Sequence, residues 1–162
     1  MVNKKIQNPK SQIQNLREKI QGKVVILGVG NVMKKDDGAG PELVKRLNGR
    51  LKATLLNCGS APENYTSIIR DKRPNTLLII DAVDFGGRPG SFKMIDPKNI
   101  RNETISTHNV SIKVFADFIR NETRANVFVI GIQPKEVGFG TGLSNEIQEG
   151  LKILEEYLVE AL

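Results

Sequence analysis

This 162-residue chain has a single cysteine, Cys58, and a single histidine, His108. A lone cysteine cannot close an internal disulfide, so the fold must stand on its core, and a reducing cytoplasm is the expected compartment. No apolar run approaches the roughly 20 residues that span a bilayer. The polar, basic N-terminal stretch holds nothing that would serve as a signal peptide, and no membrane partner is expected. Nucleotide-site patterns are missing as well. There is no G-x-x-x-x-G-K-[ST] loop, and Met33 stands where a dinucleotide fingerprint starting at Gly28 and Gly30 needs its third glycine. A serine nucleophile, Ser60 or Ser106 with His108, would lack a G-x-S-x-G elbow. "NCGSAPEN" around Cys58 matches no cysteine-nucleophile signature, and Cys58 is expected to be packing.

Excess charge is also scarce over most of the chain. The net charge is +6, but Lys4, Lys5, Lys10, Arg17, Lys19 and Lys23 against Glu18 place five of those charges in the first 23 residues. The rest of the chain is nearly neutral, a poor match to a phosphate backbone, so no nucleic-acid partner is expected. Residues 1–22 are read as a basic helical extension, with Asn8 as cap, Pro9 as first residue and Gly22 as stop. Ile13, Leu16 and Ile20 would form a weakly packing stripe.

Residues 23–162 are read as one domain in which strand and helix patterns alternate. The continuous apolar run Lys23–Val29 reads as a strand buried on both faces, Ala53–Cys58, Thr76–Val83 and Asn126–Ile132 as further strands, and Ser91–Asp96 as a shorter one. Between and after them, helical spacing covers roughly Gly40–Leu51, Pro62–Arg73, Val110–Arg120 and Leu143–Leu162. The last carries Ile147, Leu151, Leu154 and Leu158 on one face. Such alternation predicts an α/β fold: three layers, a mostly parallel twisted sheet with helices on both faces. Ligands in this architecture bind beyond the C-terminal ends of the strands, which directs attention to "GNVMKKDD", "CGSAPEN", Asp81 and "QPKEVGFG".

Asp36 and Asp37 would repel a phosphate, but carboxylates suit a cation. With Asp81 and His108, an Asp37 or Asp36 carboxylate makes an ordinary oxygen and nitrogen set for a first-row divalent ion. The spacing is not a motif in itself, and each residue has a structural alternative. One aspartate could cap the next helix, Asp81 could close a turn, and His108 could be a structural histidine.

"GVGNVMKKDDGAGP", "GSAPEN", "LLIIDAVDFGGRPG", "STHNVS" and "IGIQPKEVGFG" occur in this order. Together they resemble the maturation endopeptidases of nickel–iron hydrogenases, most of all the branch that processes the large subunit of the formate hydrogenlyase hydrogenase. The likeness covers about residues 24–160. It implies a phosphorylase/hydrolase-like fold and a cytoplasmic protease that removes a C-terminal extension from a hydrogenase large-subunit precursor after nickel insertion. The family's metal-contacting positions fall on Asp37, Asp81 and His108, which would also be the catalytic set. The nickel would be borne by the substrate, although another divalent metal could occupy the site in vitro. Gly59, Ser60, Pro62 and Glu63 in one loop, and Gln133 and Pro134 in another, would border the cleft and receive the substrate tail. Two rival readings use the same ligands: a nickel-binding chaperone without proteolysis, and a self-sufficient zinc peptidase.

Overall fold

The computed structural model describes residues 15–100 and 111–162. Five strands form one sheet: β1 (Val24–Val29), β2 (Thr54–Gly59), β3 (Thr76–Ala82), β4 (Phe92–Ile95) and β5 (Asn126–Ile132). Their order is β2-β1-β3-β5-β4, and only β4 runs antiparallel, pairing with β5 at one edge. The central strands β1 and β3 are buried on both faces, which is why their sequences are continuous apolar runs rather than alternating ones.

Helices cover both faces. On one side α1 (Leu16–Lys19), α2 (Ala39–Leu47) and α5 (Asn145–Ala161) pack on Val24, Ile26, Leu78, Ile80 and Ile130. Leu43, Val44 and Leu47 of α2 and Ile147, Leu151, Leu154 and Leu158 of α5 supply that layer. On the other side α3 (Thr66–Lys72) and α4 (Ile112–Thr123) set Ile69, Phe115, Ala116 and Ile119 against Val25, Leu27, Ile79 and Val129. Each fully buried Val, Leu, Ile or Phe side chain of this kind contributes about 1.5–3 kcal/mol. Ser111 starts α4 by accepting the Val114 amide at 3.2 Å, a true N-cap bond.

The structure differs from the sequence expectation in several places, α4 for one running on to Thr123 rather than ending near Arg120. Helix α2 stops at Leu47 rather than near Leu51, because Asn48 turns extended and Gly49 takes a left-handed φ of 77°. The stretch from Pro62 opens as a tight three-residue-per-turn segment, Pro62–Tyr65, before α3, with the Thr66 hydroxyl donating to the Glu63 carbonyl. The N-terminal extension packs more firmly than expected where it is described. Leu16 is buried in the core, and Thr76 Oγ1 both donates to the Gln21 carbonyl and accepts its amide. Asn8, Pro9 and Ile13 lie outside the described residues.

Candidate active site at the C-terminal edge of the sheet

Three glycines bring α2 down onto the strand ends. A Cβ on Gly40 would lie 2.3 Å from the Ile80 carbonyl oxygen and 2.5 Å from that of Val29. One on Gly28 would lie 2.6 Å from the Gly40 carbonyl, so helix and strand approach at backbone distance. Gly30, at φ 147°, would drive a Cβ to 1.8 Å from the Asp37 carbonyl. The turn Lys35–Gly38 therefore packs over β3 at its C-terminal end.

That turn carries Asp37, 2% exposed, whose Oδ2 accepts the Asn31 amide at 2.8 Å. Asp81, 3% exposed, stands in β3 one residue beyond the Gly28–Ile80 pairing and opposite Gly131 of β5. Two buried carboxylates thus occupy the same edge, as the strand-end rule anticipates. His108 lies outside the described residues. Among the described residues no group of three or more His, Cys, Asp or Glu side chains is arranged to hold a metal ion.

Asp36 has a separate task. It is fully buried, and Oδ2 accepts the amides of Lys135 and Glu136, both at 2.9 Å. Oδ1 accepts the Ser144 amide at 2.7 Å, and the Ser144 hydroxyl reaches both oxygens. Burial alone would raise its pKa, but the donated bonds from Ser144, Glu136 and Lys135 outweigh that and hold it below the ordinary carboxylate value. No side chain caps α2. Instead Asp36 holds the residue that begins α5, placing a negative charge at that helix's positive end. The same turn is laced to the 135–140 loop through its backbone. The Asp36 amide donates to the Glu136 carbonyl, the Lys35 amide to Gly140, and the Gly140 amide to Met33.

The flanking loops are tied in as well. The Gly59 carbonyl accepts the Gly30 amide at 2.8 Å, joining the 59–64 loop to the glycine turn. Ser60 and Glu63 are exposed and Pro62 is buried. Gln133 is 6% exposed, and Oε1 of its side chain accepts the amides of Phe85 and Gly87. Its Nε2 donates to Asp84 Oδ1 and to the Pro134 carbonyl, so the side chain organises the turn just after Asp81. Gln133 and the Gly86 amide hold the Asp84 carboxyl below its usual range. Beside this turn, a cavity of about 380 Å³ lies between Val83, Phe85, Lys93, Ile95 and Ile100. Cys58 is buried, and desolvation with the nearby Glu63 charge pushes its thiol up to about 12, which suits packing rather than attack.

The profile of a hydrogenase maturation protease family matches residues 39–161. Over 137 residues the chain is 37% identical to the hydrogenase 3 maturation protease of Escherichia coli, covering 83% of this chain and 87% of that one. The chain belongs to the hydrogenase maturation protease family. A putative maturation protease of Methanocaldococcus jannaschii is 31% identical, with 86% of each chain covered. The crystal structure of a [NiFe] hydrogenase maturation protease from Thermococcus kodakarensis superposes with a TM-score of 0.82 at 33% identity, covering 91% and 97% of the two chains. The mostly parallel α/β sheet is thus the fold of solved hydrogenase maturation proteases. Among the described residues no helix is long and apolar enough to cross a membrane.

Partners within the site that sequence reasoning missed are Ser144 and the Gln133–Asp84 pair. Ser144 is 108 positions from Asp36, and no local pattern signals their pairing. Gln133 comes directly after a strand, which marks it as an edge residue but says nothing of the turn it holds.

Proposed function

We propose that this chain is an endopeptidase that removes the C-terminal extension of a nickel–iron hydrogenase large-subunit precursor, acting in the cytoplasm after nickel is inserted. The observation that carries this reading is the pair of buried carboxylates, Asp37 and Asp81, held at one strand edge in a chain of this family. Buried carboxylates gathered at one end of the sheet suit a cation, and in this reading the cation arrives with the substrate. Asp37, Asp81 and His108 would contact the substrate's nickel and so register the scissile peptide against the edge. Good orientation alone can supply roughly 7–11 kcal/mol in favourable systems, so positioning is the principal role assigned to the contact. The bound nickel could also polarise the scissile carbonyl. The tail would run between the 59–64 loop and the start of the next loop at Gln133 and Pro134, with Gly59, Ser60, Pro62 and Glu63 bordering it on the other side.

The test incubates the protein with nickel-free and nickel-loaded precursor and tracks the mass of each. Cleavage of the loaded form alone is expected, and Asp37→Asn should abolish it while leaving the far-UV spectrum unchanged. Equal processing of both forms would point to a self-sufficient peptidase. Nickel retention without cleavage of either form would point to a chaperone.

A further inference from the structure

Half of the large hydrophobic side chains that stay exposed among the described residues belong to the two loops that Asp36 joins. Val32 is 55% exposed, Met33 51%, Val137 40% and Phe139 87%. They are brought together by the backbone. Lys34 and Gly140 form an isolated parallel bridge, and the Gly140 amide donates to the Met33 carbonyl at 2.9 Å. Phe139 therefore stands next to the Met33 strand of chain, on a support fixed below by the Asp36 carboxylate. A phenylalanine left this open on a braced loop gains nothing for folding.

We propose that Val32, Met33, Val137 and Phe139 form a docking surface for the folded body of the large-subunit precursor, separate from the cleft that takes its tail. The inference rests on the proposed function and adds how the substrate is held. Met33 and Asp37 lie on the same short loop, so a protein that brings its metal to Asp37 arrives beside these side chains. The charges around them select an apolar partner surface rather than an acidic one. Lys35 is paired with Glu136 at 2.5 Å and Lys135 with Glu146 at 2.7 Å, which leaves Lys34 as the rim lysine outside these two pairs and keeps the net charge small. The loops are already ordered by backbone bonds, which lowers the entropy lost on association, and an exposed aromatic is the usual anchor of such a contact.

The probe is the processed, nickel-containing large subunit, which lacks the tail and so reports on the body alone. Wild-type protein should bind it and be inhibited by it. Phe139→Ser should weaken that binding about tenfold or more, with a matching rise in KM for precursor and kcat within about twofold. Met33→Gln should act in the same direction. Phe118→Ser, an exposed aromatic on α4, should change neither quantity. Unchanged binding and KM in both Phe139→Ser and Met33→Gln would overturn the proposal. So would a wild-type dimer that Phe139→Ser converts to monomer at unchanged KM, since the surface would then serve a second copy of the chain. Wild-type protein that binds the processed subunit through Phe139 yet leaves precursor intact would refute the proposed function while upholding the surface.

Discussion

Replacing Asp36 by Asn changes almost no volume yet reverses the hydrogen-bonding sense of one of its two oxygens. In the native fold Oδ2 serves two amides, Lys135 and Glu136, and Oδ1 serves one, Ser144. The new NH2 group must face one of these sets of donors. Facing Ser144 is the cheaper choice, because the Ser144 hydroxyl can rotate to accept from it and only one amide bond to a charged acceptor is lost. Bonds of that kind are worth about 1.5–3 kcal/mol each, and the abandoned amide stays buried, so the variant should lose about 2–3 kcal/mol. For a domain of this size that corresponds to a melting temperature lower by roughly 4–12 °C. Denaturant midpoints measure the loss, and hydrogen exchange should quicken first at the amides of Lys135, Glu136 and Ser144. The pH dependence supplies a second reading. The folded-state pKa lies below the ordinary 3.8, so the carboxylate's contribution is complete above that value and declines as pH falls through the folded pKa. Asp36→Asn should remove this part of the acid-induced loss. A cost under about 0.5 kcal/mol, the range of inert surface changes, would refute the idea that Asp36 buttresses the edge.

Gly40→Ala should be severe, at about 3 kcal/mol or more, because its methyl would meet two strand carbonyls that cannot yield; retained stability and cleavage would show that α2 can back away from the sheet. With its thiol near 12, Cys58 should be only about one part in ten thousand ionised at pH 8 and should resist iodoacetamide until the protein unfolds, and Cys58→Ala should still cleave. Leu16→Ala should cost about 2–5 kcal/mol by denaturation, and a chain starting at Lys23 should be destabilised likewise while keeping its activity; a negligible change in either would show that α1 is not part of the core.

Much of the fold is legible in the sequence alone. Strand β5 begins and ends where the apolar run Asn126–Ile132 does, and all four apolar positions on the expected inner face of the last helix are buried. Burial on both faces writes itself into composition, so these elements need no tertiary information. The shared edge of Asp37 and Asp81 stems from the rule that parallel strands gather their loops at one end. The division of labour between Asp36 and Asp37 has no such signal. Adjacent carboxylates look alike in sequence, and the partners that separate them, Lys135, Glu136 and Ser144, are supplied by a distant loop and a distant helix. Helical spacing makes α2 too long because Leu51 fits the period, while the Asn48–Gly49 break is a local conformational choice.

The long reach of Asp36 has a bearing on how the protein comes into being. The carboxylate that steadies the first glycine turn finds its last two donors in Ser144, 108 positions later. Chains emerge from the ribosome N-terminus first, and contacts that close large loops are made late. The Asp37 turn is therefore synthesised early but left without its brace until the start of α5 has been translated. A nascent or prematurely terminated chain holds both aspartates and still lacks the rigid edge that would present them. Competence toward a precursor arrives only with the completed polypeptide, so an unfinished protease cannot begin trimming its substrate.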